Sequence, residues 1–382
     1  MFKLNNFYFK PNKREILIYD FHGAKYIARY LNNEKIELLS VRKEKLSVLI
    51  ILKCLLKFKF KKKNYIEEFI KYVNPKIIIT YIDNNIFFYE IKKFIKTKTI
   101  FIQNGLRTCL GDIFADTHDK NLNVIKKFKL KNYYVDYMLV WNNSYGKLYK
   151  DFINGESISI GSFRNNITLK KNYFSKKNTI LFISNFKNLS SFDRYGSLFY
   201  RDYIKNEKKL LLLIRDYCIK NNFRLTVLGK NIKYHNNEKN YFLKFFSPVQ
   251  FFKFIPASDN RNTYEISTQY DIIVTIESSL GHEMLSRGQK VAFFSTHNNI
   301  YPLNTFYFDW LQKKKNKGPF WTNSTSESEI KRVLDYLKKI SKYEWHKILI
   351  KHKLNLIKID NNNNIFKNIL KKEKMEHCLK KI

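Results

Sequence analysis

The chain has 382 residues, which is enough for two domains of ordinary size, each with its own core. Hydrophobic residues make up 44% and aromatic residues 16%, a composition that excludes an intrinsically disordered chain. The formal net charge of +38 and the pI near 9.8 are typical of nucleic-acid-binding proteins. Because the lysines are spread along the whole chain and Asn, Ile, Phe and Tyr are also abundant, an AT-rich coding bias explains the charge better. No nucleic-acid partner is therefore expected.

The cysteines and the apolar segments indicate a cytoplasmic protein. The four cysteines lie far apart and form neither a metal-ligand pair nor a disulfide framework. The first ten residues lack the apolar core of a signal peptide. The most apolar segment, 46–58, contains Lys53 and is too short to span a bilayer. We interpret it as a buried helix; the alternative is an interfacial helix that, with the basic run 57–63, gives peripheral contact with an anionic inner membrane.

Strands and helices alternate in the first half of the sequence. The predicted strands cover residues 15–19, 36–41, 76–82, 97–102, 134–141 and 157–161. The predicted helices begin near Gly23 and at residues 65, 87 and 142. Residues 108–131 lack a clean period and are expected to form a loop. This alternation predicts a doubly wound parallel sheet, in which ligands bind beyond the carboxyl ends of the strands.

The second half repeats the design. Its predicted strands cover 179–184, 223–228, 271–276 and 290–295, and its main helices cover 199–221 and 327–343. Residues 241–256 are ambiguous between helix and strand. We place the domain boundaries so that the domains cover 1–165 and 166–340, and a basic helical tail covers 341–382.

The segment 270–295 carries the strongest local signal. A β-branched strand ends in a polar turn, and a helix begins there. The first amides of a helix have no intrahelical acceptor, and the helix dipole favours negative charge at that end. We therefore predict that Ser278 and Ser279, with the amides of Leu280 and Gly281, bind a phosphate group. The alternative is a pair of serines that only cap the helix.

Four segments together carry a family resemblance. They are IQNGLRTCLGDIF at 102–114, IGSFRNN at 160–166, TIESSLGHEMLSRGQKVAFFS at 275–295 and GPFW at 318–321. The sequence resembles the bacterial surface carbohydrate biosynthesis transferases. The resemblance implies an α/β fold of the GT-B type, with two Rossmann-like doubly wound domains and a ligand cleft between them. It also implies that the N-terminal domain faces the acceptor and that the C-terminal domain binds a nucleotide-sugar donor.

Three further residues of the same segment have candidate roles on the donor side. Glu283, one turn into the helix, is a candidate acceptor of hydrogen bonds from the ribose hydroxyls; the alternative is an ordinary surface glutamate. Glu277, at the strand end, competes with it for that role. His282 either touches phosphate or is a core or solvated histidine. The sequence leaves these alternatives open.

The loop after the fourth predicted strand of the first half supplies the candidate catalytic residues. Arg107 is predicted to neutralise a leaving phosphate or to bind an acidic sugar, and a structural pair with Asp112 is the alternative. Asp112 is the candidate general base for the acceptor hydroxyl, a group that typically contributes about 100- to 10,000-fold to the rate. The competing candidates for that base are Asp83, Asp116, His118 and Asp119.

Other polar and aromatic residues are predicted to line the cleft. Arg164 and Asn165 follow a strand end, where a hinge is the alternative role. Trp321 is a candidate for stacking on a base or a sugar, and aromatic packing is its alternative. No Asp-X-Asp metal motif is evident, so neither a metal nor another cofactor is expected. The remaining predicted cleft residues are Gln103, Asn104 and Gly105.

The sequence thus predicts a GT-B glycosyltransferase of surface polysaccharide biosynthesis, such as that of lipopolysaccharide or capsule. The expected partners are a nucleotide-sugar donor and a lipid-linked or oligosaccharide acceptor. The high basic charge weakly favours an acidic donor such as a CMP-linked nonulosonate. The alternatives are a polyol-phosphate or sugar-phosphate transferase of similar fold and a non-catalytic nucleotide- or glycan-binding protein.

Overall fold

The computed structural model describes most of the chain, and the fold below concerns those residues. The described residues are 7–42, 44–106, 117–118, 124–126, 133–167, 176–186, 197–258, 262–276, 278–296 and 317–380. Side chains are described for these residues except 117–118, 124–126 and 197–204.

The described secondary structure alternates between strands and helices. The strands are β1 (Phe7–Tyr8), β2 (Ile16–Tyr19), β3 (Ile36–Leu39), β4 (Leu46–Ser47), β5 (Ile77–Thr80), β6 (Lys98–Ile102), β7 (Thr117–His118), β8 (Val124–Lys126), β9 (Tyr134–Val140), β10 (Asn154–Ser159), β11 (Lys176–Ile183), β12 (Arg224–Leu228), β13 (Phe252–Ile255), β14 (Tyr270–Thr275), β15 (Lys290–Phe294), β16 (Lys317–Gly318) and β17 (Trp321–Thr322). The α-helices are α1 (Ala24–Ala28), α2 (Val48–Leu56), α3 (Lys62–Val73), α4 (Ile86–Glu90), α5 (Asn143–Lys150), α6 (Ser197–Asn221), α7 (His235–Phe246), α8 (Thr263–Ser267), α9 (Ser279–Ser286), α10 (Glu327–Lys339), α11 (Lys342–Lys351) and α12 (Asn364–Lys372).

The chain divides into two compact units. The first contains residues 1–105, 129–167 and 358–382, and the second contains residues 106–128 and 168–357. The predicted tail, 341–382, is therefore not a separate element. Its α11 belongs to the second unit, whereas α12 belongs to the first because Phe366, Ile369 and Leu370 are buried in the core of that unit.

The first unit is built on a parallel sheet. Six described strands lie in the order β10-β9-β6-β5-β2-β3, and every pair is parallel. The central strands are buried on both faces: the side chains of β2 and β5 are all buried, and Ile16 pairs with Ile77. Strands covered on both faces read as continuous apolar runs, which is why these strands were predictable from the sequence.

The second unit repeats this architecture. Seven described strands lie in the order β13-β12-β11-β14-β15-β17-β16, and all pairs are parallel except β16 with β17. β11 lies between β12 and β14, and Ile180 pairs with Leu225 on one side and Ile272 on the other. The predicted doubly wound α/β class is confirmed in both units. The segment 241–256, which the sequence left ambiguous, contains the end of α7 and strand β13, and Phe242 and Phe246 of α7 pack into the core.

The apolar segment 46–58 differs from its interpretation as a buried helix. Helix α2 buries Ile50 and Cys54, but Leu52 is 48% exposed and Leu56 is 81% exposed. Periodicity could not reveal this, because nearly every residue of the segment is apolar and no polar face marks the solvent side.

Candidate functional site

The turn between β14 and α9 has the predicted form, and Ser278 organises it. The Ser278 side-chain oxygen accepts a hydrogen bond from the Leu280 amide at 3.3 Å, and its carbonyl accepts one from the Gly281 amide at 3.0 Å. Its own amide donates to Thr275 Oγ1 at 3.1 Å. The two amides that the sequence assigned to phosphate are therefore engaged by the helix cap, as in the capping alternative. The predicted anion-binding features that are left are the hydroxyls of Ser278 and Ser279 and the positive end of the α9 dipole.

Gly281 allows α9 to lie close to the sheet. A Cβ atom at this position would be 2.5 Å from Thr275 Cγ2 and 3.4 Å from Phe293 Cε1. No other residue type fits this space without a shift of the neighbouring strand. Gly281 thus sets the distance between the helix N-terminus and the ends of β14 and β15.

Ser279 holds the start of the segment that carries the predicted catalytic residues. Its side-chain oxygen accepts a hydrogen bond from the Leu106 amide at 2.8 Å, and both residues belong to the second unit. The next residue, Arg107, lies outside the described residues. The other predicted residues that lie outside them are Asp112, Asp116, Asp119 and Glu277, together with the side chain of His118.

His282 is a core residue. Its side chain is 3% exposed, and its ring centroid lies 4.7 Å from that of Phe293. Burial lowers the pKa of His282 from 6.5 to about 4, so the imidazole is neutral at pH 7. Of the two roles that the sequence left open, the structure therefore favours the core histidine, since a neutral ring adds no positive charge for a phosphate.

Glu283 is buried beside a cation at the C-terminal end of its helix. It is 6% exposed, and its charge interacts with Arg287, the C-cap residue of α9. The Arg287 guanidinium lies over the Tyr264 ring at 5.4 Å. Burial lowers the pKa of Arg287, and the charges of Tyr264 and Glu283 oppose that shift. Glu283 is thus not the ordinary surface glutamate of the alternative interpretation, and its ribose role stays a prediction.

Glu238, which the sequence did not single out, organises two strand ends of the second unit. Its side chain is fully buried and accepts hydrogen bonds from the Ser184 hydroxyl, the Lys230 amide at 3.1 Å and the Asn231 amide at 3.0 Å. These donors follow β11 and β12. A glutamate in the first turn of a helix, shortly after the Gly229-Lys230 strand end, was the available signal.

In the first unit, Gln103 has a structural role instead of the predicted exposure to a ligand. It is 1% exposed, its Nε2 donates to the Gly105 carbonyl at 3.1 Å, and its Oε1 accepts from the Trp141 amide at 2.9 Å. Both ends of the side-chain amide are therefore used to connect the ends of β6 and β9. Gly105 is also buried, whereas Asn104 is half-buried.

The other predicted residues of the first unit differ in their exposure. Arg164 is exposed, and its guanidinium lies 5.0 Å above the Tyr26 ring. Asn165 is fully buried. Asp83, a competing candidate for the general base, is also fully buried and accepts a hydrogen bond from the Tyr149 hydroxyl. A buried carboxylate held in this way cannot reach the hydroxyl of an acceptor substrate that arrives from solvent.

A second feature that the sequence analysis missed is the turn after β2. Asp20 is 1% exposed and has a φ of 84°. Its carboxylate accepts hydrogen bonds from the His22 amide at 2.9 Å and from Arg42 Nε at 3.0 Å. Gly23, with a φ of 76°, then passes close to Tyr81. The turn leaves His22 exposed at the carboxyl edge of the first sheet.

Trp321 lies in the core, in accordance with the packing alternative and against stacking on a base or a sugar. It is 7% exposed and packs edge-to-face on Phe320, with ring centroids 5.0 Å apart. Gly318 lies against its ring, and a Cβ on Gly318 would be 2.0 Å from Trp321 Cη2. An aromatic residue three positions after Gly318 was the only sequence signal, and tertiary packing decided its role.

Within the described residues, one cluster has metal-ligating side chains. Candidate ligand atoms of Glu15, His377 and Cys378 lie within 4.8 Å of one another. Lys35 and Lys76 already form ion pairs with Glu15 at 3.2 and 2.7 Å. Two ammonium groups beside the carboxylate oppose the approach of a cation. Glu15 also precedes β2, so it lies at the edge of the sheet opposite the carboxyl ends of the strands.

The family of the chain follows from a sequence model that matches residues 100–374, a family described as O-antigen biosynthesis protein. The match covers well over half of the chain. The chain belongs to this O-antigen biosynthesis family. The predicted relationship to surface carbohydrate biosynthesis is therefore confirmed. No curated protein sequence matches the chain as a relative.

Solved structures of other proteins have a similar fold. The wall teichoic acid polymerase TagF superposes with a TM-score of 0.53 at 11% identity, covering 96% of this chain and 89% of that chain. A UDP co-structure of MnaA from S. aureus superposes with a TM-score of 0.52 at 11% identity, covering 95% and 97%. At such identities the likeness concerns the fold alone, and it confirms the GT-B class. Within the described residues, no helix has both the length and the apolar character needed to cross a bilayer.

Proposed function

We propose that this O-antigen family member is a glycosyltransferase that moves a sugar from a nucleotide-sugar donor to a surface-glycan acceptor. The observation that carries the proposal is the strand, serine-capped turn and helix formed by β14 and α9 in the second unit of a GT-B fold. The similar MnaA structure contains UDP, which supports a nucleotide as ligand. The family supports a glycan product.

The proposed reaction is a displacement at the anomeric carbon. The acceptor hydroxyl oxygen forms a bond to that carbon while the bond from the carbon to the donor phosphate oxygen breaks. The proton of the hydroxyl passes to a general base, for which Asp112 is our candidate. The nucleotide leaves with the bonding electrons, and Arg107 is our candidate for balancing the charge on its phosphate.

The donor side of the proposal uses the α9 helix. Ser278 and Ser279 offer hydroxyls, and the helix dipole favours the phosphate. Glu283 or Glu277 accepts hydrogen bonds from the ribose. We further propose that the charge of the leaving group is balanced without a metal, and that the acceptor is a lipid-linked or oligosaccharide glycan at the inner face of the cytoplasmic membrane.

A thermal-shift panel with CMP, CDP, UDP, GDP and ADP tests nucleotide binding directly. A ligand that binds only the folded chain stabilises it by about 2.7 kcal/mol at one hundred times its dissociation constant. We expect one nucleotide to raise the melting temperature specifically. Equal, negligible shifts for all five would contradict the proposal.

The same fold also occurs in a protein described as a UDP-N-acetylglucosamine 2-epimerase from Listeria monocytogenes, with a TM-score of 0.52. A turnover assay separates the two chemistries. An epimerase consumes the donor without an acceptor, whereas a transferase releases the nucleotide only when an acceptor is added. A phosphodiester in the product, in place of a glycosidic bond, would indicate the sugar-phosphate or polyol-phosphate transferase.

A further inference from the structure

Helix α2 and the turn that follows it expose a cluster of large apolar side chains. We call this cluster the α2 patch. Its members are Leu52 (48% exposed), Leu55 (47%), Leu56 (81%), Phe58 (84%) and Phe60 (72%). Single exposed apolar residues are common on proteins, but five within nine positions are an unusual concentration.

The backbone presents Phe58 outward at a conformational cost. The Phe58 amide donates to the Leu55 carbonyl at 3.0 Å, and the Lys59 amide donates to the Cys54 carbonyl at 2.8 Å, which is the hydrogen-bond pattern of a Schellman motif. The left-handed position of this motif usually holds glycine or asparagine. Phe58 occupies it with a φ of 51°, and it is the only aromatic among the described non-glycine residues of positive φ. Within the chain this phenylalanine gains little burial in return for the strained conformation.

Lysines surround the α2 patch. Six of them lie between residues 53 and 63, a segment that contains no acidic residue. Lys57 and Lys59 form ion pairs with Glu68 at 2.7 and 3.6 Å, and both lysines keep substantial exposure. The side chains of Lys61 and Lys62 are exposed. The patch therefore combines apolar and aromatic groups with a strongly positive rim.

A groove continues the patch between α2 and α3. Its volume is about 350 Å³, and its walls include Ile51, Cys54, Leu55 and Tyr65. Phe60, Lys59, Lys61 and Lys62 also line this groove. A groove lined by both apolar side chains and lysines matches a molecule that has an apolar tail and an anionic head.

We propose that the α2 patch is the surface by which this protein docks on an anionic lipid bilayer. The apolar side chains enter the boundary between head groups and acyl chains, and the lysines contact the lipid phosphates. Charge complementarity selects lipid over a second copy of the chain, because a two-fold interface on this patch would place two sets of the same lysines together. The proposal goes beyond the transfer reaction and does not require it.

Sedimentation of the purified full chain with vesicles tests the proposal without a donor or an acceptor. We expect binding to vesicles of phosphatidylglycerol mixed with phosphatidylcholine, weak binding to phosphatidylcholine alone, and loss of binding at high salt. The triple substitution Leu56→Ser, Phe58→Asn and Phe60→Ser should weaken binding by about tenfold or more. Each of Lys61→Gln, Lys62→Gln and Lys63→Gln should weaken it about fivefold.

Matched control variants remove exposed apolar side chains and exposed lysine charges outside the α2 patch. Ile219→Ser and Leu354→Ser delete exposed apolar side chains, and Lys205→Gln, Lys208→Gln and Lys209→Gln delete exposed charges on α6. These variants should bind vesicles as the original chain does. The single variant Phe58→Asn should also bind anionic vesicles more weakly than the original chain. It should melt no lower, because asparagine tolerates the left-handed conformation, so misfolding cannot explain the weaker binding. Equal binding to neutral and anionic vesicles, or a patch variant that binds fully, would overturn the proposal. So would a dimer in ultracentrifugation that the patch variants convert to monomers.

Discussion

Asn166 and Asn363 join their side chains although they are 197 residues apart, with Asn166 Nδ2 donating to Asn363 Oδ1 at 2.8 Å. Asn363 in turn donates to the Tyr30 hydroxyl at 3.0 Å and to the Phe163 carbonyl at 2.9 Å. Asn166 Oδ1 accepts from the Asp360 amide at 3.0 Å. All of these residues lie in the first unit. The pair therefore fastens the returning C-terminal segment to the end of β10.

The substitution Asn166→Ala should lower the free energy of unfolding of the first unit by about 2–4 kcal/mol, because it leaves buried partners without hydrogen bonds. Denaturant unfolding followed by limited proteolysis of the C-terminal segment measures the effect. Asn361→Ala, at an exposed position of the same segment, is the control and should change the stability by less than about 0.5 kcal/mol. Equal effects of the two variants would show that the pair does not hold the segment.

The substitution Gly281→Ala should destabilise the second unit, although alanine normally favours a helix by about 1 kcal/mol. The new Cβ would lie 2.5 Å from Thr275 Cγ2, and overpacking of this kind costs about 1–3 kcal/mol. Thr275→Ser removes that methyl group and keeps the hydroxyl oxygen that accepts a hydrogen bond from the Ser278 amide. The double variant should therefore regain most of the lost melting temperature. A double variant as unstable as Gly281→Ala alone would contradict the steric explanation.

His282 should make the stability fall in mildly acidic solution. The unfolded chain binds a proton near pH 6.5, whereas burial holds the pKa of the folded His282 at about 4. Its contribution is therefore fully present above pH 6.5 and decreases as the pH falls towards 4, by up to about 3 kcal/mol. Thermal melts at several pH values should show a smaller decrease for His282→Leu than for the original chain. The exposed His346→Leu variant should keep the original pH dependence.

The substitution Glu283→Gln tests the ribose role. If Glu283 accepts hydrogen bonds from the donor, the neutral amide should weaken nucleotide affinity by about tenfold or more, as measured by titration calorimetry. If the carboxylate serves only to balance Arg287, the affinity should stay unchanged while the melting temperature falls. In that case the additional change Arg287→Met should restore stability, because it removes the uncompensated buried charge.

Much of the fold could be predicted because its strands have a distinctive pattern. The β-branched runs of β2, β5 and β14 are buried on both faces, and Gly or polar residues end them. Short or edge elements were harder, since β10 is only partly buried and begins earlier than predicted, at Asn154. The turn at Ser278 could be located because serine is a preferred N-cap residue and helical spacing follows it directly.

The site residues were less predictable than the elements that carry them. Gln103 and Trp321 stand at strand ends or in loop-like segments, where the sequence alone cannot tell whether a side chain turns inward. Glu238 had no assigned role in the sequence. Its buried role is visible only in the structure, where three donors from the ends of two strands meet it. These assignments depend on long-range packing, which leaves no local period in the sequence.

The sequence by itself determined the alternating α/β architecture, the serine-capped helix α9 and the family resemblance, because each depends on residues close together in the chain. Only the tertiary structure decided which polar groups are buried, that the C-terminal segment returns to the first unit, and that α2 exposes its apolar face. These features arise from contacts between distant segments, such as that of Asn166 with Asn363. The free energy of those contacts depends on how deeply the groups are buried, and the order of residues in the sequence does not show burial.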